Sequence, residues 1–93
     1  MQRHRWYVGL IDKAGQDVDP EKYHAVLSGF LLGYTTFRTE GVWKGTREPS
    51  LVFEFIDDCL LPTSVPWIAS ELKGAGNQES VLYVVDTCDV TFC

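Results

Sequence analysis

The spacing of apolar residues in this chain of 93 residues switches from a period of two to a helical period and back, and then does so again. That switching constrains the fold more than any single motif, because the period decides which face of an element can be buried. "RWYVGLID" (5–12) is a β-rich run that stops at charge and predicts a first strand, and Gly15 marks the turn after it. Asp19 precedes Pro20, a favoured N-cap ahead of a residue whose missing N–H costs nothing at the first helical position. Glu21 complements the helix dipole, and Tyr23, Val26, Leu27, Phe30 and Leu31 form one apolar stripe. A helix is predicted over 20–32, closed by Gly33. "YTTFRTEGVW" and "SLVFEFI" predict two further strands, joined through the turn-rich "KGTREP" into a long hairpin with a bulge at Gly41. Thr63 or Ser64 is expected to cap a short second helix over 65–73, with Val65, Ile68, Ala69 and Leu72 at helical spacing. "ESVLYVVDT" predicts the fourth strand and "CDVTFC" a short terminal one.

The order is β-α-β-β-α-β, the split pattern of a ferredoxin-like α+β sandwich. The expectation is a single domain over 1–93: an antiparallel four-stranded sheet, two helices on one face, and a short extra strand at the C-terminus. The other sheet face should then alternate with polar residues. It does not. Opposite the parity of Leu51, Phe53 and Phe55 stand Val52, Glu54 and Ile56, and opposite Val81, Tyr83 and Val85 stand Leu82, Val84 and Asp86. An apolar face of this kind marks an interface. The expected partner is a second copy, in a dimer or trimer, with Val52, Ile56, Leu82 and Val84 as interface residues. A C-terminal segment folding back over the face is the alternative.

Charge narrows the partners. The formal net charge is −5, which argues against direct nucleic-acid binding through phosphates. Residues 1–47 carry seven Lys/Arg and five acids, whereas residues 48–93 carry one base and eight acids. No apolar run is long enough to span a membrane, and no leader is expected. The three cysteines, Cys59, Cys88 and Cys93, form no C-x-x-C pair and lie far in sequence from His4 and His24, so no metal site is expected. An odd count fits a reducing cytoplasm. Whether Cys88 and Cys93 pair is left open by the sequence.

No nucleophile elbow, phosphate-binding loop or dinucleotide glycine pattern occurs. No catalytic residue and no cofactor is therefore assigned. Asp57 and Asp58 adjoin and point apart as neighbours on a strand, and His24 stands one step off the apolar stripe, as a surface histidine would. The candidate contact site is the hairpin tip, where Arg38, Trp43, Lys44 and Arg47 gather cationic groups beside an indole and glycine backbone able to hold an anion.

Two resemblances attach to these elements. In architecture, over the whole chain, the order with a loop between the second and third strands is similar to the nitrogen-regulatory P-II family, trimers that pack their sheets inward and bind adenine nucleotides between subunits. The hairpin here is shorter than a P-II partner loop and no nucleotide-binding residue matches, so no residue role carries over. In sequence pattern, the chain resembles a group of small proteins common in phage genomes. The matching residues are Tyr7, Gly9 and Leu10; Gly33, Tyr34 and Thr35; Gly41, Trp43, Gly45, Glu48 and Ser50; and Asn77, Gln78, Glu79 and Val81. That likeness implies a ferredoxin-like fold and a phage origin, and no activity. The expected function is a non-enzymatic, self-associating binding protein of the host cytoplasm, interfering with a host defence or regulatory system by binding a host protein or sequestering a nucleotide-like small molecule. Two alternatives stand beside it: a small enzyme using Asp57, Asp58 or His24 as acid/base groups, and an acidic inhibitor that mimics nucleic acid.

Overall fold

The first strand has the expected length but starts three residues before the predicted 5–12 and ends at Gly9 rather than Asp12, because the charged residues before Trp6 alternate as well. In the computed structural model, which describes residues 1–57 and 64–91, β1 runs Gln2–Gly9. His4, Trp6 and Val8 point to one side and are buried, while Arg3, Arg5 and Tyr7 point to the other. α1 follows at Pro20–Ser28, β2 at Thr35–Trp43, β3 at Thr46–Asp57, α2 at Ser64–Ala75 and β4 at Leu82–Thr87. The strand order is β2-β3-β1-β4 with every neighbouring pair antiparallel, which is the expected ferredoxin-like α+β sandwich. Cys88–Thr91 forms no strand, although the Cys88 N–H donates to the Met1 carbonyl at 3.0 Å. The expectations at Asp58, Cys59, Thr63 and Cys93, with the Cys88–Cys93 pairing, lie outside the described residues.

Local chemistry explains most boundaries. Asp19 caps α1 as expected, its carboxylate accepting from the Glu21 N–H at 3.0 Å. The helix stops at Gly29 rather than Gly33, because Ser28 and Gly29 are poor helix formers. Phe30 is consequently half-exposed instead of continuing the stripe, while Leu31 still tucks under the core. In the hairpin the turn is only Lys44-Gly45, with φ of +49° and +79°, and the strands pair without interruption from Trp43↔Thr46 to Thr35↔Glu54. Two positive φ values are what a tight two-residue hairpin turn needs. The expected bulge at Gly41 is absent: Gly41 faces Glu48 in regular register.

The core lies between the helices and one sheet face. Trp6, Val8, Leu51 and Phe53 from the sheet meet Tyr23 and Leu27 of α1 and Ile68 and Leu72 of α2. Deeper along β1, His4 is buried at 2% exposure, stacked against Trp6, Phe55 and Tyr83 at centroid distances of 5.9–6.2 Å. Its Nδ1 shares a 2.6 Å hydrogen bond with the Tyr83 hydroxyl, while His4 Nε2 and Trp6 Nε1 have no partner among the described residues.

On the opposite face the register aligns Tyr7 with Val52 and Leu82, Arg5 with Glu54 and Val84, and Arg3 with Ile56 and Asp86. The four predicted interface residues therefore share this open face. Ile56, Leu82 and Val84 are 40%, 59% and 39% exposed, and Val52 is covered by its neighbours. The face is less uniformly apolar than expected. Arg5 Nε donates to Glu54 Oε2 at 3.0 Å, and Arg3 pairs with Asp86 through both carboxylate oxygens.

Burial disfavours the charged form of His4 and lowers its pKa, against a weaker opposing pull from Asp57. Folding therefore favours the neutral imidazole, whose stabilising contribution is complete above the unfolded value of about 6.5 and is lost as pH falls from there through the folded value. The melting temperature of the protein is expected to drop across that window. His4→Leu should flatten this component of the pH dependence, as followed by circular dichroism.

Candidate functional site

The β1–α1 loop is organised by Asp12. Its Oδ1 accepts the Ala14 and Gln16 N–H groups at 2.8 and 2.9 Å, and the Asp12 N–H donates to Gln16 O. The Gln16 amide first, then Ala14 and the Asn77 side chain, hold the carboxyl below its ordinary range. The Leu10 N–H donates to Pro49 O at 3.0 Å, which fixes the start of this loop beside β3. On the other side the Lys13 N–H donates to Asn77 O at 3.0 Å, which ties it to the loop after α2. Asn77 adopts φ of +48°, a left-handed conformation that asparagine tolerates better than most residues.

These ties enclose a cleft of ≈ 290 Å³, lined by Ile11, Asp12, Lys13, Trp43, Glu48, Gln78, Glu79 and Ser80. Three segments far apart in sequence supply it. Each glycine at its margin has a physical reason. A Cβ at Gly9 would fall 2.6 Å from Gln78 Oε1, and a Cβ at Gly76 would fall 2.0 Å from the Tyr23 hydroxyl oxygen. Gln78 is buried, and its Nε2 donates to Ile11 O at 3.1 Å and Gly76 O at 2.9 Å. Around this rigid floor, Lys13, Trp43 and Glu79 remain exposed and Glu48 is half-buried. The indole of Trp43, 67% exposed, carries Lys44 Nζ at 5.7 Å from its ring centroid.

The predicted tip cluster does not hold together as one site. Trp43 and Glu48 share a side of the hairpin with Gly41 and Ser50, as the pairs Gly41↔Glu48 and Thr39↔Ser50 require. Arg38 and Arg47 stand at the alternate positions, on the other side, where Arg47 pairs with Glu40 at 3.3 Å at the exposed surface. Of the four residues, the cleft takes Trp43, with Lys44 beside it. Of the acid/base candidates, His24 and Asp57 do not line the cleft either. His24 is not a free surface group: its Nδ1 shares a hydrogen bond with the Tyr34 hydroxyl at 2.7 Å, and its ring meets Phe53 edge-on at 5.4 Å. Asp57 ends β3 opposite Gln2.

The cleft residues that sequence reasoning passed over are Asp12, Lys13, Glu48, Gln78 and Glu79. Glu48, Gln78 and Glu79 are among the residues that match the phage-type likeness, and the signal was there: two acidic positions beside glycine- and asparagine-bearing turns, in segments that this topology brings to one end of the sheet. No group of three or more His, Cys, Asp or Glu side chains among the described residues is placed to hold a metal ion. No helix among them is long and apolar enough to cross a membrane.

Because Arg47 points away from the cleft and Lys44 lies in an exposed turn, Lys44→Glu combined with Arg47→Glu is expected to shift unfolding free energy by no more than about 0.5 kcal/mol. Urea denaturation followed by Trp fluorescence checks this.

No family model matches the chain, and no curated protein matches it, so the P-II likeness rests on architecture alone. Among solved structures the chain is similar to a phage SAM lyase in its apo state, with 23% identity, a TM-score of 0.67, and coverage of 91% of this chain and 78% of that one. The shared fold confirms the architecture. It also overturns the expectation of a non-enzymatic protein, because a neighbour with this fold is an enzyme.

Proposed function

We propose that the protein is a lyase acting on S-adenosylmethionine, or on a closely related sulfonium, in the cleft between the β1–α1 loop, the hairpin tip and the loop after α2. The observation that carries this reading is the convergence of Glu48 and Glu79, from distant segments, on one cleft with the exposed indole of Trp43. The chemistry of the substrate matches that donor set. Its sulfonium and ammonium are cations that carboxylates attract, its adenine presents a face for an indole, and its carboxylate complements Lys13. The fold shared with a phage SAM lyase supports the substrate class. That neighbour and the phage-type sequence pattern together support a phage origin.

A lyase adds no water. When a C–S bond of a sulfonium breaks, the electron pair returns to sulfur and neutralises it. The carbon fragment must then complete its valence from within the substrate, by losing a neighbouring proton or by capture of the substrate's own carboxylate. Glu48 and Glu79 suit either route, the first as proton acceptors and both as groups that hold the cation in a reactive pose. Incubation with S-adenosylmethionine should yield products whose masses sum to that of the substrate. Glu48→Gln and Glu79→Gln should each lower kcat/KM by about a hundredfold, and Trp43→Ala should raise KM about tenfold. Mass spectrometry of early time points decides: intact S-adenosylmethionine, or products that carry an added water from the outset with no water-free precursor, would sink the assignment.

The working form is proposed to be an assembly of copies joined through the open sheet face. Phe37, Ile56, Leu82 and Val84 offer an exposed apolar surface there. The register places Trp43 and Glu48 on the same side of the sheet as Val52 and Ile56, so the face continues toward the cleft. At ≈ 290 Å³ the cleft is also small for a ligand of this size, and a second copy would add walls to it. Leu82→Asp would place a carboxylate against an apolar partner at each symmetry-related contact, costing several kcal/mol. Sedimentation should show the native protein as an oligomer and this variant as a folded monomer; a native protein that sediments as a monomer at high concentration contradicts the assembly.

A further inference from the structure

We infer that Tyr23, a buried residue of α1 that lines no part of the cleft, is a positioning residue for it: its hydroxyl fixes the end of β1 against which Gln78 sets the loop carrying Glu79. The inference rests on the reading of the cleft as the reaction site.

Tyr23 is fully buried, at a helix position where Phe would fill the same space. Its hydroxyl needs a partner there, and it donates to the Gly9 carbonyl at 2.6 Å, at the last residue of β1. The missing side chain of Gly9 leaves the room that Gln78 Oε1 occupies. From that seat Gln78 Nε2 donates both forward, to Ile11 O in the β1–α1 loop, and back, to Gly76 O in its own loop. Gly76 in turn packs so closely on Tyr23 that a Cβ would fall 2.5 Å from its ring carbons. The ring thus meets one end of the loop through contact and the other through Gly9 and Gln78. Glu79 is the next residue along. Burial, more than any other influence, pushes the Tyr23 hydroxyl up to about 12, so it remains a donor across any ordinary assay range.

A role limited to core packing would cost stability on Tyr23→Phe and leave turnover alone. Positioning requires more. In the Tyr23→Phe protein kcat should fall about tenfold while KM stays within about twofold, because a misplaced group near the reacting atoms costs rate before binding. Amide exchange at Lys13 and Gln78 should accelerate at least about tenfold, with the amides of α1 unchanged. Gly9→Ala, which evicts Gln78 Oε1, should lose kcat similarly, and the double variant should lose less than the product of the two effects, since both act through one linkage. Unchanged exchange at Lys13 and Gln78 in Tyr23→Phe overturns the inference whether or not the protein consumes S-adenosylmethionine, and so does wild-type kcat in that variant. An inactive native protein removes the proposed reaction instead and leaves amide exchange to decide the positioning role.

Discussion

Everything in this fold hangs on one strand paired along both edges. β1 bonds β3 on one side and β4 on the other over nearly its whole length, so its backbone groups are satisfied within the sheet and its side chains are held at fixed heights. Trp6 on that strand sits opposite both Phe53 and Tyr83, under the helices. The neighbouring residues, Arg5 and Tyr7, are thereby committed to the other face. A slip of one residue would exchange a buried indole for a guanidinium, so the register is as strongly specified as the core itself.

That commitment reaches the cleft. The end of β1 is where the sheet stops, and Gly9, Leu10, Ile11 and Asp12 form the line along which the other segments dock. Pro49 meets Leu10 there, Gln78 meets Gly9 and Ile11, and Asn77 meets Lys13. A site assembled this way has a backbone floor of hydrogen-bonded loops with few freely rotating side chains in it. The groups that remain exposed, Trp43, Glu79 and Lys13, are those able to meet a ligand.

The legible parts of the sequence were those with local causes. Asp19-Pro20 opened α1 because capping depends on a few adjacent residues, and the strand periods gave the topology because alternation survives any packing. The end of α1 was misplaced because Gly33 and Gly29 are equally good stops on paper, and only packing showed where the stripe runs out. The polar pairs Arg5–Glu54 and Arg3–Asp86 are not legible locally: Arg3 lies before the predicted start of the first strand, and only the register sets Arg5 opposite Glu54. The tip residues were grouped by nearness in sequence, whereas a strand alternates its sides, so Arg38 and Arg47 went one way and Trp43 the other. Glu48 and Glu79 lie 31 positions apart by their numbering, and nothing short of the register brings them together.

β2 lies at the outer edge of the sheet, and every residue on it except Gly41 is exposed. A free edge of this kind invites other chains to add a strand. This one is furnished with Arg38, Glu40 and three threonines and no long apolar run, a composition that makes stacking of identical edges unrewarding. The opposite edge, β4, is only six residues long and carries Asp86 next to its last residue. Fibre-like growth along the sheet plane is thus discouraged at both ends, and the proposed face-to-face assembly would be free of competition from endless edge-to-edge stacking.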